Sequence, residues 1–213
     1  IKMHLICAYV LVFASGDLLH AQGAGTRLSQ SDTELARLSE DQIVLHVLNR
    51  AAFGAQPGQA EAVKQIGWRE WIRQQLRPAK IDDAQVESYV AQRWPTLVMT
   101  LGQLMQQDYM KMEQVRQHLP PSVVYRAVHS DRQLQEVIVT FWRNHFSVDQ
   151  NKDSVGFYTG DYETMLRRYA FGRFDRLLLA TAQHPAMLTF LDNDVSQKPL
   201  TDSQQRLIER YES

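Results

Sequence analysis

The stretch Ser39-Glu40-Asp41-Gln42-Ile43-Val44-Leu45-His46-Val47-Leu48-Asn49-Arg50-Ala51-Ala52-Phe53-Gly54 decides the fold class. Ser39 with Gln42 three residues later is a capping box, in which the serine oxygen takes a first-turn N–H and the glutamine side chain reaches back. Behind it, Ile43, Val44, Val47, Leu48 and Ala51 recur at three- and four-residue spacing and so share one face of a helix. Phe53-Gly54 closes it. A strand would need alternation with period two, and no stretch of the chain sustains that.

The helical period continues outward from this element. Pro57 opens a second helix at a first-turn position and Gly67 closes it. Trp68, Trp71, Ile72 and Leu76 line a short helix stopped by Arg77-Pro78. A helix near 83–93 stops before Pro95. A longer one is expected from about Thr96 to His118, carrying Leu97, Leu101, Leu104, Met105 and Met112, with Pro120-Pro121 breaking the chain after it. Ser130-Asp131-Arg132-Gln133 reads as a second capping box, opening a helix to about Phe146. Further helices are expected at 161–171, 174–183, 185–191 and 203–212. The expected fold is all-α, an irregular multi-helix bundle with short loops.

Composition agrees. The 213 residues are 44% apolar and 22% charged, with 10 Gly, 7 Pro and one Cys, which excludes a collagen-like, disordered or disulfide-framed chain. With 23 basic and 24 acidic side chains there is no electrostatic footprint for nucleic acid. At the start of the chain, Leu5 to Ala14 is an uncharged, mostly apolar run preceded by Lys2 and His4 and followed by the small residues Ser15 and Gly16. That pattern suits the apolar region of a secretory signal peptide and is too short for a membrane span. Residues 1–22 are therefore expected to be a leader cleaved between Gly16 and Gly23, and 23–38 a flexible lead-in. The protein is expected to be exported, periplasmic or secreted. Cys7 would leave with the leader, as would Lys2 and Asp17, keeping the net charge at −1. No membrane span is expected in the mature chain.

Chemistry-bearing residues sit at helix edges. At about 100° per residue, Leu134, Ile138, Phe141 and His145 fall within about 60° of one another, so His145 lies in line with an apolar stripe. Asn144 and Trp142 flank it and Arg143 points away. His145 reads either as a satisfied core histidine or as a buried imidazole held by Asn144 for proton transfer. His46 and Arg50 stand together at i, i+4 on the edge of their helix, facing either a cleft or solvent. The loop Asp149-Gln150-Asn151-Lys152-Asp153 matches the first ligand positions of a calcium loop, but Ser154 replaces the turn glycine and Gly160 the bidentate glutamate. Asp192-Asn193-Asp194 reads as a helix-terminating turn. There is no G-x-S-x-G, H-E-x-x-H, phosphate loop or Cys-His zinc spacing, so no metal and no cofactor is expected.

Three strings taken together carry a resemblance: His46-Val47-Leu48-Asn49-Arg50-Ala51-Ala52-Phe53-Gly54, Phe141-Trp142-Arg143-Asn144-His145-Phe146, and Leu166 to Phe174 running on through His184-Pro185-Ala186-Met187-Leu188 to Leu191-Asp192-Asn193. Their order and spacing resemble the bacterial family called domain of unknown function 1800, although Asn49 stands where that family commonly has arginine. The resemblance implies an exported, largely helical protein whose partner is another exported protein encoded nearby. It also implies that residues 39–213 are the N-terminal part of a longer helical domain, because a later Asn-Glu-Asn-Tyr-Ala-Arg-Glu type motif is absent. It groups His46, Arg50, Asn144, His145, Asp192 and Asn193 in a shared role. Two functional expectations follow. One is a binding or scaffold role at the cell surface or on an extracellular polymer, with His46, Arg50, Trp142 and Asn193 as binding residues. The other is an exported hydrolase-like enzyme using His145, Asn144 and Asp192 as catalytic residues.

Overall fold

The computed structural model describes residues 38–196. The expected leader at 1–22, nearly all of the lead-in and the helix at 203–212 lie outside them. Among the described residues there are ten α-helices and no strand, so the fold is all-α. They are α1 (Glu40–Ala51), α2 (Gln59–Ile66), α3 (Trp68–Gln75), α4 (Ala84–Arg93), α5 (Leu101–Leu104), α6 (Tyr109–His129), α7 (Gln133–Phe146), α8 (Val155–Tyr169), α9 (Phe174–Gln183) and α10 (Pro185–Phe190). Short 3-10 turns lie at Pro78–Lys80, Pro95–Leu97 and Asn193–Val195.

Local chemistry explains most boundaries. The Ser39 hydroxyl accepts from Gln42 N (3.3 Å) and the Gln42 side chain accepts from Ser39 N (2.9 Å), so the first capping box forms as expected. Gly67, at φ +83°, ends α2 and starts α3, a conformation that a side chain would strain. Pro57 lies in a turn ahead of α2 rather than in its first turn.

Three expectations are corrected. The helix expected over 96–118 is instead a 3-10 turn, the short α5 and the start of α6. A capping box of Thr100 with Gln103 and an N-cap at Asp108, which accepts from Lys111 N at 2.8 Å, restart the helix twice. Pro120-Pro121 does not break α6. Both prolines are exposed, so water can reach the carbonyls of Arg116 and Gln117 that lose their N–H partners. The buried face of α6 runs on unbroken through Val115, Leu119, Ser122 and Arg126. The capping box at 130–133 does not form: the Ser130 hydroxyl donates to buried Asp83 Oδ2 at 2.8 Å and accepts from Arg132 N at 3.0 Å, while Asp131 N donates to Asp83 Oδ1 at 3.0 Å and Ser130 N to the Arg126 carbonyl at 2.9 Å. Freed from capping, the Gln133 amide bonds the carbonyls of Ser130 (2.7 Å) and Ala127 (3.1 Å).

Helix α8 begins six residues ahead of expectation, with Gly156 and Gly160 inside it. Those glycines argue against a helix by propensity, but packing requires them. A Cβ at Gly156 would sit 2.7 Å from Arg116 Nε and 2.9 Å from the Gln150 carbonyl; one at Gly160 would sit 3.3 Å from Val115 Cγ1. Helix α8 thus lies close against α6. The core has three parts: Val44, Leu48, Val63 and Trp71 of α1–α3, joined by Leu134 of α7; Val139, Trp142, Tyr162, Leu166 and Leu177 among α7–α9, with Ala186 of α10; and Val86, Val90 and Trp94 at α4, packed on Tyr125 of α6.

Candidate functional site

Helix α7 buries the start of its apolar stripe, at Leu134, but beyond it turns a neighbouring face inward. Glu136, Val139 and Trp142 are buried, whereas Ile138 and Phe141 are half-buried and His145 is exposed. Charge pairing with α8 makes the difference. Arg143, expected to point away, donates from Nε and Nη2 to Glu163 at 2.9 and 2.6 Å. Arg167 donates from Nη1 and Nη2 to both oxygens of Glu136 at 2.5 and 2.7 Å, and from Nη2 to Glu163 at 3.2 Å. Two carboxylates and two guanidiniums therefore neutralise each other between the helices. Burial pushes the Glu163 carboxyl up, but its hydrogen bonds to Arg143 and the charges of Arg143, Arg167 and Arg126 outweigh this and hold it below the ordinary glutamate value.

A cavity of about 330 Å³ opens beside this cluster, between α4, α6 and α8, walled by Glu87, Ser122, Arg126, Glu163, Thr164 and Arg167. Its acids are already paired. Glu87 accepts both Arg126 nitrogens at 2.8 and 2.7 Å, and those bonds hold its carboxyl below the ordinary value against burial. Asp161, also on the wall, accepts from His184 Nε2 at 3.1 Å. The Nδ1 of that imidazole accepts from Ala186 N at 3.2 Å, so the neutral ring carries its proton on Nε2 and caps α10.

The residues singled out in the sequence lie elsewhere. His145 stacks on Phe141 with ring centroids 5.7 Å apart and meets Trp142 edge-on, with no hydrogen-bond partner among the described residues. It is neither a core histidine nor a buried imidazole. Asn144 is exposed beside it. Trp142 is buried, stacked on Phe146 and Phe174, and its Nε1 has no hydrogen-bond partner among the described residues. Asp192, at φ +57°, is exposed and bound to Lys152 Nζ at 2.6 Å, which also donates to the Phe190 carbonyl at 2.8 Å. Asn193 is exposed in the 3-10 turn that follows, so Asp192 and Asn193 do end the helix in a turn. Asp149 Oδ1 accepts from Asn151 N at 2.9 Å, tying its loop into a tight turn. His46 and Arg50 are exposed on α1, with no ion-pair partner among the described residues. The strings meet through their apolar residues: Trp142 stacks on Phe174, and Phe171 packs against the core cluster that includes α1. Their polar residues do not converge, and among the described residues no hydrogen bond or ion pair joins His145 to Asp192.

Sequence reasoning did not find Glu136, Arg143, Glu163 and Arg167. The available signal was opposite charge on facing helices: Glu136 and Arg143 two turns apart on α7, Glu163 and Arg167 one turn apart on α8. No curated protein and no solved structure matches the chain. A family model described as Protein of unknown function (DUF1800) matches residues 46–203.

Proposed function

We propose that this chain, which belongs to the DUF1800 family, is an exported binding or scaffold module that holds an extracellular polymer on the exposed face formed by Asn144, His145 and the half-buried Phe141. The observation that supports this best is the setting of His145. Its ring is stacked flat on Phe141 and open to water, with an exposed amide next to it and no carboxylate or hydroxyl partner among the described residues. A general base needs an orienting partner and a reacting proton within hydrogen-bond reach. A flat ring with an adjacent amide instead offers stacking area and polar contacts at little entropic cost, as recognition surfaces do. His46 and Arg50 present a second exposed polar edge on α1. Export rests on the leader pattern of residues 1–22; no helix among the described residues is long and apolar enough to cross a membrane.

The test is retention on insoluble polysaccharide and on purified cell-wall polymer, by sedimentation of the full chain and of His145→Ala. The substitution is expected to weaken retention at least severalfold while leaving the melting temperature unchanged, since the side chain is exposed. Retention unaffected by His145→Ala, or turnover of an ester or polymer abolished by it without loss of folding, would sink the reading. The turnover result would favour the hydrolase with His145, Asn144 and Asp192.

A further inference from the structure

On the far side of Arg167 from the paired cavity lies a second recess of about 450 Å³, walled by Pro78, Arg132, Gln135, Arg167, Arg168 and Phe171 among others. Three arginines line it and, among the described residues, no acidic residue does. The charges behind the wall do not cancel those in front. Arg143 and Arg167 are balanced by Glu136 and Glu163. Glu87 is shared by Arg126, at 2.7 Å, and Arg132, at 3.8 Å. Arg168 is exposed, has no acidic partner among the described residues, and rests 5.7 Å over the Tyr169 ring. Arg168 therefore brings to the recess a positive charge that no ion pair among the described residues offsets.

Two of the three guanidiniums are held before any ligand arrives. Arg132 is fixed by two bonds from Nε and Nη2 to the Ile81 carbonyl (3.1 and 2.9 Å), and Arg167 by its two carboxylates. Arg168 is free to swing onto a ligand. A planar carboxylate is satisfied by one bidentate arginine, whereas several arginines around one recess, Arg167 and Arg168 on α8 and Arg132 just ahead of α7, suit a tetrahedral oxyanion with oxygens on all sides. Phe171 and Pro78 add an apolar wall for the body carrying that anion.

We propose that this recess is a binding site for a phosphate group, carried as an ester on a larger molecule. Arg132 and Arg167 are the preset contacts and Arg168 is the closing one. The site is separate from the α7 surface, so either can fail without the other.

The experiment is calorimetric titration of the full chain with inorganic phosphate and with glycerol 3-phosphate, against sodium chloride of matched ionic strength. A sedimentation arm uses vesicles with and without phosphatidylglycerol. Saturable binding of both phosphate probes, weakened about tenfold in Arg168→Ala and abolished in Arg168→Glu, is expected, one charge-assisted contact being lost. Neither substitution should lower the melting temperature, because Arg168 makes no ion pair. Vesicle retention that depends on Arg168 would place the phosphate on a lipid headgroup; binding of the soluble probes alone would place it on a soluble or polymeric ester. No phosphate binding beyond the chloride control, or undiminished binding in Arg168→Glu, would overturn the proposal.

Discussion

Replacing Arg167 with methionine asks whether the charge cluster between α7 and α8 is a dry interior pair or a solvated one. Arg167 is 17% exposed and Glu136 only 4%, and every ion-pair contact of Glu136 is to Arg167. Methionine keeps the stem packed while removing the guanidinium, so a buried carboxylate loses its counter-charge. Breaking a buried pair in this way costs about 3–5 kcal/mol, against about 0–1 kcal/mol for a surface pair. Glu163 is spared, because Arg143 still donates to it twice. Glu136→Leu should therefore be milder, at about 1–2 kcal/mol, since Arg167 keeps its bond to Glu163. The double variant Glu136→Leu/Arg167→Met removes both charges and should be more stable than Arg167→Met alone, in keeping with the small net worth of buried pairs. Urea unfolding followed by far-ultraviolet circular dichroism at pH 7 measures all three, provided the denaturant slopes agree. An Arg167→Met variant within about 0.5 kcal/mol of wild type would refute the reasoning, showing the cluster to be screened as a surface pair is. A double variant less stable than Arg167→Met would refute it as well.

Burial pushes the Tyr162 phenol up to about 12 from an ordinary value of 10.0. Between those pH values the unfolded chain ionises first, so the tyrosine's contribution is intact below pH 10 and lost as pH rises toward 12, by at most about 2.7 kcal/mol. Tyr162→Phe should flatten that alkaline loss in urea midpoints taken from pH 8 to 12, and parallel curves for the two proteins would contradict it. Gly156→Ala gains about 1 kcal/mol of helix propensity but drives a methyl into the Gln150 carbonyl and the Arg116 side chain. A net loss of about 1–3 kcal/mol is expected, and a higher melting temperature would show that α6 and α8 separate easily.

The all-α fold was legible because apolar spacing reports helices whatever they pack against; α1, α4 and α9 stand where that spacing puts them. Failures came where tertiary contacts override local chemistry. Ser130 carries a capping signature, but the carboxylate of Asp83, distant in sequence, binds its hydroxyl. Gly156 and Gly160 look like helix breakers until α6 is placed against them. Pro120 and Pro121 were read as a break, and only their exposure shows that the freed carbonyls can be hydrated. The site misled for a related reason. His145 aligns with the apolar stripe of α7, but that stripe reaches the helix end, where the core does not cover it. Glu136 and Arg143 look solvent-directed until their partners on α8 are known. Periodicity reports how apolar a face is, and a face carrying paired charges scores as polar even when it is buried.

The same pairs bear on how α7 and α8 find their register. Glu136 meets Arg167 and, seven residues further along α7, Arg143 meets Glu163 four residues back along α8, an antiparallel order. Sliding one helix by about a turn in one direction would bring Glu136 toward Glu163. Sliding it the other way would bring Arg143 toward Arg167. Each slip buries like charges and leaves an opposite charge without its partner, at a penalty of several kcal/mol, so the arrangement discriminates against neighbouring registers even where it adds little net stability. An apolar seam would tolerate such slips more readily, as alternative packings of aliphatic side chains differ by less. The register in turn decides what the helices present. Arg167 and Arg168 are consecutive residues of α8, and Arg132 immediately precedes α7 in the chain. A slip of one turn, about 5.4 Å, would part these guanidiniums by more than a hydrogen bond spans. The acids that lock the two helices are thus also what aligns the arginine-lined recess.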